Sequence, residues 1–252
     1  MNASSLRTFS HYGVLCCSIS DMRLHAGSSG FSYKAWKGPF YPEKLPNKDM
    51  LAYYAERLST VEINSSFYRM PKREVLEGWA EKVPDDFMFV LKASRRITHN
   101  SRLKESSYDS VEYLWSVATA LGPHLGPILF QLPPNMKKDV ERLNAFMGIL
   151  PEGLRAAFEF RNDSWFDEEV YAAIRDAGHA LCLAEFDESD TPALVSTTDW
   201  GYLRLRRQDY TDEALRAWLS AIEAQPWKEA FVFFKHEDEG AAPRLAARLL
   251  AL

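Results

Sequence analysis

Short apolar runs alternate with longer amphipathic stretches along the chain from residue 22 onward. Each run is five or six residues long and rich in apolar side chains. This is typical of strands that are buried on both faces of a parallel sheet. The runs that predict strands are 23–27, 60–64, 87–92, 127–132, 156–160, 180–184, 201–206 and 230–235.

Helical patterns occupy most of the gaps between these runs. Apolar side chains recur there at three- and four-residue spacing, as on the buried face of an amphipathic helix. Asn47 is a favourable N-terminal capping residue, so the first helix is predicted to begin there. Residues 185–199 carry no clear helical pattern, and we expect that connection to be irregular. The predicted helices are 47–58, 73–82, 109–121, 138–150, 167–177, 211–224 and 242–250.

Eight strands separated mainly by helices predict an α/β protein with a single (β/α)8 TIM-type barrel over residues 22–252. The alternative is an open, doubly wound sheet, which usually has fewer strands and a glycine-rich turn after the first one. Here residues 27–30 read Gly-Ser-Ser-Gly, which lacks the GxGxxG spacing of a dinucleotide site. Residues 1–21 form a polar, serine-rich N-terminal extension, which we expect to add little to the barrel core.

Composition narrows the class of protein. A chain of 252 residues, 46% hydrophobic and 26% charged, can bury a core without disulfides or structural metals. The formal charge of −5 argues against an extended nucleic-acid surface but allows a local basic pocket. Three cysteines without zinc-ligand spacing predict reduced thiols and a cytoplasmic location. No apolar stretch approaches the roughly 18 residues that span a bilayer, so no membrane partner is expected.

Charged and amide side chains at the predicted strand ends indicate the candidate site. In barrels of this kind active sites lie at the carboxyl ends of the strands, and the same groups are costly to bury deeper inside. Every predicted strand except the first ends in such groups. They are Glu62 and Asn64, Lys92, Gln131, Glu159 and Arg161, Glu185 or Asp187, Arg204 and Arg206, and Lys235 and His236.

These residues divide into two kinds of candidate. The catalytic candidates are Glu62, Glu159 and His236, because carboxyl and imidazole groups exchange protons. A structural alternative stays open, in which the two glutamates neutralise arginines in a buried network. If the arginines instead hold a ligand, Arg204→Ala should leave the fold nearly as stable. The substrate-binding candidates are Asn64, Tyr68, Lys92, His99, Gln131, Arg161, Trp165, Arg204 and Arg206.

A cluster of aromatic side chains follows the first predicted strand. Two interpretations are open: a hydrophobic lid over the barrel, or a stacking wall for a base or sugar ring. Phe67, Tyr68 and Trp165 are the later aromatic residues that would extend it. The cluster itself comprises Phe31, Tyr33, Trp36, Phe40 and Tyr41.

Several longer motifs occur in order along the chain. They are GSSGFSYKAWKGPFYP from residue 27, VEINSSFY from 61, Lys92 with ITH from 97, QLPP from 131, and FEFR from 158 with SW from 164. Together these blocks resemble the YecE-like family of bacterial and archaeal proteins, which is labelled a domain of unknown function. The resemblance covers about residues 22–250. It implies a TIM-type barrel but no known reaction.

Two blocks depart from the pattern of that family. The family usually has Tyr-x-Arg-x-His-Gly where this chain has YLRLRR from residue 202, and Phe-Asn-Asn where this chain has Phe-Lys-His at 234–236. Roles that rest on the family's histidine or asparagines are therefore not carried over. One hypothesis is that His236 supplies the imidazole that is replaced at Arg206.

Three functional hypotheses follow. The first is an enzyme of hydrolase or phosphoester-cleaving type, whose small anionic, phosphorylated substrate is held by the cationic strand ends. The second is a glycosidase-like enzyme with Glu62 and Glu159 as paired carboxylates. A metal-dependent version would use these two with Glu185 and His236, although the sequence requires no metal and leaves the cofactor unknown. The third is a non-enzymatic barrel that binds an anionic metabolite.

Overall fold

The computed structural model describes residues 22–185, 191–235 and 238–252. Eight parallel strands form a closed barrel in chain order, with β1 also paired to β8. The prediction of a (β/α)8 barrel is confirmed, and the open-sheet alternative is wrong. The strands are β1 (Arg23–Ser29), β2 (Thr60–Ile63), β3 (Met88–Lys92), β4 (Leu125–Gln131), β5 (Ala156–Glu159), β6 (Ala180–Ala184), β7 (Trp200–Leu205) and β8 (Glu229–Phe234).

Seven α-helices in the described part of the chain surround the barrel. Each overlaps a predicted helical segment, and residues 191–199 before β7 contain no helix, as expected. Within the same described ranges, no helix is long and apolar enough to cross a membrane. The helices are α1 (Met50–Ala55), α2 (Arg73–Ala80), α3 (Tyr108–Ala118), α4 (Val140–Met147), α5 (Glu168–Asp176), α6 (Asp212–Glu223) and α7 (Ala241–Leu250).

The first helix does not begin as predicted. Asn47 opens a short 3-10 turn, and α1 starts at Met50 without a side-chain cap. Pro46 precedes the turn with an extended backbone. Because proline fixes its own φ and needs no N–H partner, it sets the entry to the helix. The prediction of an asparagine cap is therefore wrong.

The second strand ends one residue earlier than predicted. β2 stops at Ile63, and Asn64 begins a 3-10 turn. The Ser66 hydroxyl lies 2.7 Å from the carbonyl oxygens of Ile63 and Lys92, and it accepts the backbone N–H of Lys92 at 3.1 Å. The Ser66 hydroxyl thus takes the place of the next backbone hydrogen bond between β2 and β3. Asn64, predicted as the last residue of this strand, therefore lies beyond the strand that carries Glu62.

The interior of the barrel is filled by apolar side chains beneath a polar layer. Alternate residues of a strand share a face, so on β7 Trp200, Tyr202 and Arg204 follow one another along the inside. Ionic contacts of Arg204 therefore form above a dry floor, where the dielectric constant is low. A larger apolar core lies between the strands and the helices. The buried residues of the floor are Val90, Leu129, Ala157, Ala180, Cys182, Trp200, Tyr202, Phe231 and Phe233.

Glu229, at the start of β8, joins elements at the opposite end of the barrel. Its carboxylate accepts hydrogen bonds from His25 Nε2 at 3.0 Å and Arg155 Nη2 at 2.5 Å. Burial acts to raise the pKa of Glu229, but the hydrogen bond from His25 and the charge of Arg155 outweigh it and lower the pKa to about 2. The ionised carboxylate therefore stabilises the folded state at neutral pH.

Glu229→Gln should lower the free energy of unfolding at pH 7 by roughly 1–2 kcal/mol, since the amide cannot form the ion pair at this partly screened site. A carboxyl whose pKa is lowered by folding stabilises the fold above its unfolded pKa of about 4.3 and loses that effect as the pH falls. The gap between wild type and variant should thus shrink between about pH 4.5 and pH 2. Urea unfolding across this range measures it; a pH-independent gap would contradict the assignment.

Candidate active site

Arg204 lies at the centre of the polar layer and bridges two carboxylates. Its Nη1 donates to Glu159 Oε2 at 2.5 Å and its Nη2 to Glu62 Oε1 at 2.8 Å. Glu62 also accepts from the Ser29 hydroxyl at 2.7 Å and from the Tyr202 hydroxyl at 2.6 Å. Both glutamates are fully buried, and Arg204 is 1% exposed. Arg204 was expected to hold a ligand, but both terminal nitrogens of its guanidinium already bind carboxylates.

Glu159 and Gln131 accept hydrogen bonds from the remaining side chains of the layer. The Oε1 of Glu159 accepts from Gln131 Nε2 at 2.6 Å, Arg206 Nη2 at 2.9 Å and Arg161 Nε at 3.1 Å. The side-chain oxygen Oε1 of Gln131 in turn accepts from Lys92 Nζ at 2.9 Å. The structure therefore brings together seven of the sequence-predicted residues: Glu62, Lys92, Gln131, Glu159, Arg161, Arg204 and Arg206. We call these seven the polar layer.

The polar layer carries a surplus of positive charge. Four cationic side chains face two carboxylates within it. Burial acts to raise the pKa of Glu159, but the charges of Arg204, Arg206 and Arg161 hold it well below its usual range. Burial acts in the same sense on Glu62, but the charge of Arg204 and the hydrogen bonds from Tyr202 and Ser29 together outweigh it, so that the pKa of Glu62 is lowered too. Both carboxylates are therefore ionised at neutral pH.

Lys92 is the cation of the polar layer that loses its proton most easily. Burial and then the nearby charge of Arg204 lower its pKa to about 8, although Glu62 and Glu159 act in the opposite sense. Its Nζ lies 4.4 Å from the centroid of the Phe67 ring, and the whole residue is 9% exposed. A lysine amine in these surroundings loses its proton far more readily than one in water.

His99 lies in the short helical turn Arg96–Asn100 after β3. Its Nδ1 is 2.9 Å from the Thr98 hydroxyl, and its ring makes a T-shaped contact with Phe67, the ring that Lys92 also contacts, with centroids 4.9 Å apart. Burial and the charges of Lys92 and Arg161 lower the pKa of His99. The imidazole is therefore neutral at pH 7, next to the cationic layer. Tyr68 packs on the edge of the same Phe67 but is 74% exposed.

Two predicted binding residues lie apart from the polar layer. Trp165 is fully buried, stacks on Phe160 with centroids 4.6 Å apart, and donates its indole N–H to the Met136 carbonyl at 2.7 Å. Asn64 lines a small cavity of about 220 Å³ between the loops that follow β1 and β2. Trp165 thus belongs to the packed core, and Asn64 faces a separate pocket together with Tyr33.

The aromatic residues after β1 pack on one another. Trp36 is stacked on Tyr41 with centroids 6.1 Å apart, and Phe40 meets both rings edge-on. Trp36 and Tyr41 are buried, and the Tyr41 hydroxyl donates to the Phe31 carbonyl at 2.6 Å. These rings form a packed hydrophobic cluster that also contacts α1, and the buried ones are not open for stacking on a ligand.

The acidic candidates for a metal are already engaged. Glu185, at the end of β6, is fully buried, accepts a hydrogen bond from the Tyr210 hydroxyl and pairs with Arg207 Nε at 2.7 Å. In the described ranges no group of three or more His, Cys, Asp or Glu residues is placed to hold a metal. His236 and Asp187 lie outside the described residues. The hypothesis that His236 replaces a lost imidazole stays a prediction.

Four residues of the site were not singled out from the sequence for the roles they have. Ser29 and Tyr202 bind Glu62, while Tyr210 and Arg207 bind Glu185. Tyr202 was detectable, because it lies two positions before Arg204 on one strand and so shares its inward face. Tyr210 could not be found in this way, because the loop that brings it back to the barrel has no periodic pattern of apolar residues.

Comparison with known proteins identifies the family. The family described as "Protein of unknown function DUF72" matches residues 25–252. The chain belongs to this family. One relative is the UPF0759 protein YunF of Bacillus subtilis (strain 168), which is 26% identical, with 79% of this chain and 74% of YunF covered. The UPF0759 protein YecE of Escherichia coli (strain K12) is 31% identical over 46% of this chain and 43% of YecE.

Solved structures of DUF72 proteins share the fold. A DUF72 family protein from Thermotoga maritima is 27% identical and superposes with a TM-score of 0.80, over 91% of this chain and 98% of that protein. One from Enterococcus faecalis is 19% identical, with a TM-score of 0.73, over 92% and 98% of the two chains. The resemblance to the YecE-like family is therefore confirmed. None of these names states a reaction.

Proposed function

We propose that this DUF72 barrel is an enzyme that acts on a small anionic, phosphorylated substrate at the carboxyl ends of its strands. The observation that supports the proposal is the surplus of positive charge in the polar layer, where four cations surround two buried carboxylates. Excess charge of one sign above a dry floor attracts a ligand of the opposite sign. A phosphate group at the barrel mouth would balance the layer.

The cations differ in how near they lie to solvent. The side chain of Arg204 is 2% exposed, that of Arg206 10% and that of Arg161 30%. Arg206 and Arg161 each follow their inner neighbour by two residues, so they lie closer to the mouth. We assign Arg204 to the support of the site, and Arg161, Arg206 and Lys92 to the anion. Guanidinium groups match the oxygens of phosphate well.

A hydrolytic or phosphoester-cleaving reaction also needs a group that takes a proton from water. Glu62 and Glu159 are weak bases here, because their pKa values are lowered and their oxygens already accept several hydrogen bonds. His99 is better suited, since its imidazole is neutral at pH 7 and packs on Phe67, the ring that Lys92 also contacts. We therefore assign proton transfer to His99, and the carboxylates to holding the cations in place.

The other hypotheses are less well supported. A glycosidase keeps one of its two carboxyl groups protonated through a raised pKa, whereas both pKa values are lowered here. A barrel that only binds an anionic metabolite would use the same cations. Release of phosphate from a panel of small phosphoesters separates that case from an enzyme. A cytoplasmic location is part of the proposal, because it supplies such metabolites.

Inorganic phosphate should stabilise the wild-type protein. At about ten times the dissociation constant, a ligand that binds only the folded state adds roughly 1.4 kcal/mol, which is about 2–4 °C in melting temperature for a chain of this size. Arg161→Ala should lose this stabilisation with little cost to the fold, because its side chain is partly exposed. Thermal unfolding with sodium phosphate and with sodium chloride of equal ionic strength measures the effect.

The matched control is Arg175→Ala on α5, where the arginine pairs with Glu168 at the outer surface. This variant should keep the full response to phosphate. If phosphate stabilises all three proteins equally, the effect is a general one of the salt. If it stabilises none, the proposed anion site does not exist.

A further inference from the structure

Lys92 is held differently from every other cation of the polar layer. Gln131 accepts a hydrogen bond from its Nζ, and Phe67 presents the face of its ring to it. Among the described residues no carboxylate lies within ion-pair distance of this nitrogen, whereas each of the three arginines contacts Glu159. The layer thus contains one amine without a direct carboxylate partner.

The backbone of Lys92 is fixed on both sides. The Ser66 hydroxyl contacts its carbonyl oxygen at 2.7 Å and its N–H at 3.1 Å. Lys92 is also the last residue of β3, where it pairs with Leu129 of β4. A reactive group placed on a strand end and held in this way keeps its position more reliably than one on a loop. The serine therefore anchors the amine at the mouth of the barrel.

We propose that Lys92 is a nucleophile that forms an imine with the carbonyl group of a small anionic aldehyde or ketone. This substrate class rests on the proposed anion site, because Arg161 and Arg206 would hold the charged end of the molecule beside the amine. The group that must react is the neutral amine, and a lysine becomes neutral when it is desolvated or adjoins another cation. Both conditions are present at Lys92.

The covalent step balances without an oxidant or a reductant. The nitrogen lone pair attacks the carbonyl carbon, and a C–N bond forms. The two hydrogens of the amine and the carbonyl oxygen then leave as water, which gives a C=N bond. Addition of water reverses the step and restores the free lysine. Neutral His99 packs on the same Phe67 ring as the amine and is suited to relay the protons.

The reaction should depend on pH in a defined way. Its rate should rise as the pH increases through about 8, because the neutral fraction of Lys92 rises there. The charged and titratable groups that act on this amine are Glu62, Glu159, Arg161, Arg204 and His99. The glutamates and arginines keep their charges across this range, so Lys92 itself governs the profile.

The test treats the full-length protein with glyceraldehyde 3-phosphate and cyanoborohydride, which reduces an imine to a stable secondary amine. Peptide mapping by mass spectrometry then locates the modified lysine. At pH 7 Lys92 should be modified at least about tenfold faster than Lys82, an exposed lysine after α2, because burial and the charge of Arg204 lower the pKa of Lys92 and leave more of its amine neutral. Glyceraldehyde without the phosphate should modify Lys92 more slowly.

Variants separate the proposal from a structural role. Lys92→Arg keeps the charge but lacks the nucleophile, so it should lose the fast modification while retaining the stabilisation by phosphate. Lys82→Met should change neither. If the Lys92 variant does not fold, peptide mapping of the wild-type protein alone still tests the proposal.

Equal modification of Lys92 and Lys82 would overturn the imine proposal while leaving the anion site intact. Loss of phosphate stabilisation with fast modification by both aldehydes would overturn the anion site instead and leave the nucleophile.

Discussion

Arg204→Met should lower the free energy of unfolding by roughly 3–5 kcal/mol, which is the usual cost of removing one partner from a buried ion pair. The variant leaves Glu62 and Glu159 fully buried without the guanidinium that bridges them. Tyr202 and Ser29 still donate to Glu62, but two neutral hydroxyls do not balance its charge. This outcome is opposite to the expectation from sequence, in which Arg204 holds a ligand and contributes little to stability.

Urea unfolding at several pH values tests this prediction. Without Arg204 less positive charge opposes the effect of burial, so the pKa of Glu62, and to a smaller extent that of Glu159 beside Arg206 and Arg161, should rise. The variant should therefore become more stable, relative to wild type, as the pH falls and the carboxyls are protonated. The control is Arg248→Met, since that arginine pairs with Asp212 at the surface and should contribute less than about 1 kcal/mol. Equal effects of the two substitutions would show that the Arg204 bridge contributes no more to stability than a surface ion pair.

Trp165→Ala should destabilise the fold by roughly 3–5 kcal/mol, as is usual for deletion of a large buried aromatic side chain. The indole lies parallel to Phe160, with 4° between the ring planes, and its N–H bonds the Met136 carbonyl. Trp165→Phe should be less costly, because it retains part of the stacking. Response to phosphate should be unchanged in the folded fraction, since the ring is closed off from the polar layer.

Thermal unfolding of both Trp165 variants distinguishes packing from binding. Tyr68→Ala serves as the control, because Tyr68 is also an aromatic residue of the rim but is largely exposed. It should leave the melting temperature within a few degrees of wild type. A Trp165→Ala variant that is as stable as Tyr68→Ala but no longer responds to phosphate would restore the tryptophan as a binding residue.

The barrel could be predicted from sequence because its strands are apolar on both faces and short. Few other folds are compatible with that pattern when it is repeated eight times with helices between the strands. The errors concern strand and helix ends, where single side chains decide. The Ser66 hydroxyl ends β2 and Pro46 sets the start of the first helical turn, and neither belongs to a periodic pattern.

The membership of the polar layer could be predicted in large part, because polar residues at strand ends must converge near the barrel axis. The partner of each residue could not. Whether Arg204 faces a ligand or two glutamates depends on side-chain distances across the barrel, and no local spacing encodes those. For Trp165 the same limit applies, since its burial depends on how the loop after β5 folds back onto Phe160.

The Arg204 bridge also bears on the order of folding events. It joins β7 to β2 and β5, and its partners lie 142 and 45 positions away along the chain. Contacts of such long range form only after the intervening chain has been ordered, because loop closure must precede them. We therefore expect the Arg204 bridge to form late in folding, after β2, β5 and β7 have come together. Late interactions slow unfolding more than they speed folding, so the bridge prolongs the lifetime of the closed barrel rather than guiding its assembly.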